Sequence, residues 1–127
     1  MPLVRVDIVQ GKPAAYRGDI GAVIYEAMIE TLGVPLDDRF QVITEHPREN
    51  FVFDPGYLGI MRTEDCVFIQ VTLNSGRTVD VKRAFYRAVA DGLNQRLGLR
   101  REDVFIGLVE VQKENWSFGN GEAQYAE

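Results

Sequence analysis

Hydrophobic and polar residues alternate along Leu3–Val9, with Val4, Val6 and Ile8 on one side and Arg5 and Asp7 on the other. A period of two predicts a half-buried strand. From Ala14 to Leu32 the spacing becomes helical: Ile20, Ile24, Ala27, Met28 and Leu32 share a face, and Gly33 suits the left-handed residue that ends it. Phe40–Glu45 predicts a second strand. The pattern then returns sixty-five positions later. VFIQVTL (Val67–Leu73) falls under the first strand, Val79–Leu97 repeats the helix with Phe85, Val89, Leu93 and Leu97, and Gly98 falls under Gly33. Beyond the helices, GVPLDDRFQVITE and GLRREDVFIGLVE coincide at glycine, aspartate, phenylalanine and glutamate, and the turns QGKP and SGRT correspond.

The chain is therefore a duplicated β-α-β unit, each copy expected to hold a parallel strand pair with a right-handed helical crossover. The expected fold is α/β: one four-stranded mixed sheet with both helices on one face, in a single domain over 1–127. The pseudo-repeats span about 2–46 and 67–111. Between them HPRENFVFDPGYLGIMRTED carries turn signals such as DPG and a predicted short strand around Phe51–Phe53. The segment 112–127, aromatic and punctuated by glycine, predicts a hairpin or an added strand. The sheet face away from the helices is apolar on several strands, which predicts a symmetric oligomer.

Composition narrows the classes of function. A net charge of −5 over 127 residues leaves no basic footprint for nucleic acid or an anionic membrane. No apolar run would span a bilayer, and no charged and apolar leader precedes the first strand. With Cys66 as the only cysteine and His46 as the only histidine, a disulfide framework and a His/Cys zinc site are not expected, and a reducing cytoplasm fits best.

If a pseudo-twofold axis relates the units, the strands at their junction run antiparallel. The start of the first strand then lies beside the end of Val67–Leu73, and Pro2 lies near the loop Asn74–Arg77. Initiator methionine is normally removed before a small residue, and proline qualifies. The product would be a secondary amine, able to act as acid or base. An unperturbed α-amino group titrates near ~8; nearby cations or apolar surroundings lower that value, and a carboxylate such as Asp38 raises it.

The duplication, the penultimate Pro2, VPLDDRFQ and the ending NWSFGNGEAQY together resemble the tautomerase superfamily, and within it the malonate semialdehyde decarboxylases and their homologues. The resemblance covers essentially the whole chain. It implies a homotrimer with active sites at subunit edges, chemistry without metal or cofactor, and an amino-terminal proline at its centre. It matches Pro2 to that proline, Asp38 to an assisting aspartate, and Arg77 to the second of two loop arginines. The first arginine is absent; the loop reads LNSGRT, with Asn74 near its place. Trp116, Phe118 and Tyr125 match aromatic wall positions, and Asn120 stands where a phenylalanine is expected. The implied substrate is a small carboxylate.

Two chemistries stay open for these residues, and so does a noncatalytic binding protein of the same fold. Decarboxylation of a short 3-oxo acid would use a cationic Pro2 as hydrogen-bond donor to the forming enolate, or Pro2 as an iminium electron sink, with Arg77 and Asn74 on the substrate. Keto–enol tautomerisation would use a neutral Pro2 as base. Plainer roles stand beside these. Pro2 could simply open a strand, and Arg77 could flank a helix start, where a cation opposes the dipole and needs an anionic partner. Asp38 could be a turn residue like its repeat-mate Asp103, and the aromatic residues could be core or oligomer contacts. His46 and Lys12 are expected at the surface, Cys66 in packing, and Arg39 and Arg62 in salt bridges between subunits.

Overall fold

The computed structural model describes residues 2–126. Its elements are β1 (Leu3–Val9), α1 (Ala14–Ala27), β2 (Gln41–His46), β3 (Val67–Asn74), α2 (Val79–Leu97) and β4 (Val104–Val111). The sheet order is β2-β1-β3-β4. β1 and β2 are parallel, as are β3 and β4, while β1 and β3 pair antiparallel from Leu3 opposite Thr72 to Asp7 opposite Phe68. This is the mixed four-stranded sheet expected of two β-α-β units joined about a pseudo-twofold axis. Among the described residues no helix is long and apolar enough to cross a membrane.

Strand alternation decides what meets the helices. Val4, Val6 and Ile8 of β1 and Val67, Ile69, Val71 and Leu73 of β3 are all buried, and they pack with Ile20, Ile24, Phe85, Val89 and Leu93 in one core. Fully burying each such side chain contributes roughly 1.5–3 kcal/mol. Thr78 caps α2, its Oγ1 accepting from the Val81 N–H at 3.2 Å. Gly98 (φ 66°) and Gly33 (φ 70°) end the two helical segments in the left-handed conformation, which glycine adopts without a Cβ penalty.

Four expectations are corrected. The helical pattern of Ala14–Leu32 is not a single α-helix: α1 stops at Ala27 and Met28–Leu32 forms a wider π turn. Thr31 turns its Oγ1 back onto the Ala27 carbonyl at 2.7 Å, a bond that competes with regular helix geometry. Phe51–Phe53 is not a strand. A 3-10 turn at Arg48–Asn50 drops Phe51 onto the outer sheet face, where its ring stacks on Phe68 at 4.5 Å. The segment 112–126 forms neither hairpin nor strand; after a 3-10 turn at Lys113–Asn115 it runs through turns. His46 is half-buried rather than on the surface, and its Nε2 lies 2.6 Å from Asp7 Oδ1. Lys12 is exposed as expected, yet it pairs with Asp65 at 3.1 Å. Neither Arg39 nor Arg62 needs another subunit for a partner. Arg39 lies over the Tyr25 ring, and Arg62 donates to the carbonyls of Tyr57 and Ile60.

The outer sheet face is mixed. Val42, Phe105 and Val109 are exposed there, but Arg5, Asp7 and Gln70 lie between them.

Two tests address the packing. The helices meet at Gly92, where an added Cβ would stand 2.7 Å from Val23 Cγ1. Gly92→Ala is expected to destabilise the protein by about 1–3 kcal/mol through overpacking, read from the urea midpoint. Burial, with the Asp103 charge second, pushes the Cys66 thiol up from 9.0 to about 11. The folded chain thus keeps a proton that the unfolded chain releases, so Cys66 subtracts stability as pH rises through that window. Iodoacetamide at pH 8.5 is expected to leave native Cys66 unmodified and to label it in urea, as read by intact mass.

Candidate active site

The antiparallel β1–β3 pairing sets the place of the site. With Leu3 opposite Thr72, the residue before β1 comes alongside the end of β3. The Val4 N–H donates to the Phe40 carbonyl at 3.0 Å and draws the approach to β2 to the same edge. Beyond β4, the turn at Lys113–Asn115 returns the chain across that edge. A cleft of about 220 Å³ results, lined by Pro2, Leu3, Phe40, Trp116, Ser117 and Phe118. It is smaller than the sites that hold drug-sized ligands and suits a short-chain molecule. A larger depression between the helices, about 470 Å³, is lined by Glu26, Glu30, Asp91 and Arg96 and contains none of the candidate site residues.

Three of the candidate residues, Pro2, Trp116 and Phe118, line the cleft directly. Two more reach it through these. The Trp116 indole N–H donates to Asn74 Oδ1 at 2.8 Å, which fixes the amide orientation, since an indole can only donate. Trp116 and Phe118 stack at 5.4 Å, and Tyr125 meets Phe118 edge-on at 4.7 Å. Asp38 is half-buried in the turn leading to Phe40, its N–H bonded to the Pro35 carbonyl. Met1, on which the free amine of Pro2 depends, lies outside the described residues.

Arg77 has a partner that periodicity could not show. Its Nη2 donates to the Leu32 carbonyl at 3.0 Å and its Nη1 to the Asn74 carbonyl at 3.2 Å. The last carbonyls of a helix lack partners within it, and the helix dipole is negative there. The arginine just before the cap of the second unit's helix thus caps the end of the first unit's helix, an anionic environment of the kind its position demands. Nearby, the Lys82 ammonium, hydrogen-bonded to Glu110 at 2.8 Å, is the main cause holding that carboxyl below the usual range; the Gly76 N–H and the Arg77 charge add to it. These contacts fix the loop beside Pro2.

Leu3, Phe40 and Ser117 were not anticipated as lining. A signal existed for Phe40, which coincides with Phe105 in the repeat; Leu3 and Ser117 carry none.

The comparisons with known proteins bear on this edge of the sheet. A family model for tautomerase enzymes matches residues 38–119, and a second tautomerase model matches residues 2–60. Across the full length of both chains, the sequence is 42% identical to a probable tautomerase, YusQ, of Bacillus subtilis (strain 168). The chain belongs to the tautomerase family. It is an enzyme of lyase or isomerase type. Its fold is similar to that of FG41 malonate semialdehyde decarboxylase inhibited by 3-bromopropiolate, with a TM-score of 0.91 and 33% identity over 98% of this chain and 94% of that one. It is also similar to a fused 4-OT that forms a symmetric trimer, with a TM-score of 0.79 and 26% identity over 98% of each chain.

One test separates the clamp from chemistry. Arg77→Ala leaves the Leu32 and Asn74 carbonyls without these donors and is expected to cost about 1–3 kcal/mol, measured by chemical denaturation without substrate.

Proposed function

We propose that this tautomerase-family enzyme decarboxylates a short 3-oxo acid, malonate semialdehyde being the simplest, with Pro2 as a cationic hydrogen-bond donor. The observation that carries the reading is the position of Pro2 in a small cleft walled by Trp116 and Phe118, at the strand end that bears Asn74 and leads into the loop of Arg77. The similarity to a malonate semialdehyde decarboxylase supports it.

In this mechanism the bond between the carboxylate and the α-carbon breaks, and its electron pair moves into the carbonyl group as an enolate. CO₂ leaves, and the α-carbon later takes a proton. Charge grows on the carbonyl oxygen, so the useful catalyst is a fixed donor aimed at it, the task of a protonated Pro2. Loss of CO₂ requires the breaking bond to stand out of the carbonyl plane, which is a matter of positioning. Arg77 has five N–H donors, of which the clamp uses two; the others hold the substrate carboxylate. Asn74 adds a neutral donor, its amide nitrogen being turned away from the indole. Asp38 keeps Pro2 cationic or orders a water molecule. The aromatic wall formed by Trp116, Phe118 and Tyr125 excludes bulk water and weakens solvation of the departing carboxylate. The unit in solution is a homotrimer, in keeping with the trimeric 4-OT neighbour and with the exposed Val42, Phe105 and Val109 on the outer sheet face.

Keto–enol tautomerisation is the second reading, favoured by the YusQ similarity. It needs the opposite resting state of one amine. The test is a panel of short 3-oxo acids and enols assayed with wild type, Pro2→Ala and Arg77→Ala, after intact mass has established whether the methionine is removed. Pro2→Ala is expected to lower decarboxylation by about 10²-fold or more, as loss of an oxyanion donor does. Wild-type decarboxylation is expected to fall as the amine deprotonates. Activity that instead appears on deprotonation assigns the cleft to isomerisation, and equal rates in all three proteins reject both.

A further inference from the structure

The aromatic wall of the cleft belongs to a segment that forms no strand, yet it is bonded at both ends. At its base the Trp116 indole is fixed to Asn74. At its far end the chain turns through Gly119 (φ 140°), Asn120 (φ 61°) and Gly121 (φ 70°), a run of positive φ that reverses direction tightly. Across that turn, the half-buried side chain of Gln124 bonds twice to the main chain. Its Oε1 accepts from the Phe118 N–H at 2.9 Å, and its Nε2 donates to the Gly119 carbonyl at 2.8 Å. One carboxamide thereby supplies the donor and the acceptor that a neighbouring strand would supply. Phe118, so held, keeps its ring between Trp116 and Tyr125.

We propose that Gln124 is the positioning residue of the cleft: by clasping the backbone at Phe118–Gly119 it holds the aromatic wall closed over Pro2, and so sets the affinity for substrate. It need not touch substrate. Its effect on affinity rests on the Pro2 cleft being the active site; its effect on the wall does not.

The chain's single tryptophan, Trp116, reports on that wall without any assay of activity. In Gln124→Ala, acrylamide is expected to quench Trp116 more strongly than in wild type. KM for the 3-oxo acid is expected to rise about five- to tenfold, the loss of one or two net hydrogen bonds, with kcat little changed. Gln124→Glu is the sharper variant. Ionised, it keeps an acceptor for Phe118 but turns a second acceptor toward the Gly119 carbonyl, so at neutral pH it is expected to quench like the alanine variant. Protonated below the ordinary glutamate value near ~4.3, it regains the donor, and its quenching is expected to return toward wild type. The alanine variant is expected to show no such return. Unchanged quenching in Gln124→Ala, or a glutamate variant whose quenching does not respond to pH, overturns the proposal. Should quenching follow this pattern while wild type turns over no 3-oxo acid, the wall assignment stands and the decarboxylase reading falls.

Discussion

The antiparallel pairing of β1 with β3 is the joint on which the molecule depends. It is the pairing that links the two β-α-β units within the sheet. Its register puts Val4 and Val6 opposite Val71 and Ile69, all facing the helices in one core. A slip of one residue would turn β1's apolar set to the outer face and carry Pro2 away from Asn74. The same register therefore serves stability and the cleft.

Duplication supplies two equivalent sheet edges, and the residues placed there make them unequal. The repeat-mate of Pro2 is Val67, which lies within the chain and is fully buried, so an amine cannot arise there. Asp103, mate of Asp38, is buried and accepts from the Thr63 N–H at 2.6 Å and its hydroxyl at 2.7 Å, spending its charge on the entry to β3. Lys12, mate of Arg77, turns to Asp65, whereas Arg77 reaches the end of the other unit's helix. A compact ammonium makes a point contact; a guanidinium can bridge two carbonyls at once. The arginine thus joins the first unit's helix end to the β3 end beside Pro2, and the lysine has no matching role.

The walls of the cleft are held differently from its floor. Pro2 and Leu3 rest on a strand pairing backed by the core. Trp116 and Phe118 rest on side-chain hydrogen bonds and ring contacts in a segment without a sheet ladder. Segments with few buried apolar contacts sit at the low end of local stability.

The strands, both helices, the glycine ends and the order of the sheet were legible in the residues, because each follows from a local period or from its repetition sixty-five positions on. The approach of Pro2 to Asn74 followed from the symmetry of that repeat. Tertiary structure decided the rest. Phe51 leaves its expected strand for the face of Phe68, His46 pairs with Asp7 on the outer sheet face, the first helix widens at its end, and the last aromatic residues form a wall where a hairpin was expected. Phe51 with Phe68, His46 with Asp7 and Trp116 with Asn74 each meet a partner distant in the chain, while the helix end turns on the Thr31 hydroxyl meeting the Ala27 carbonyl. Neither kind of contact leaves a period to read.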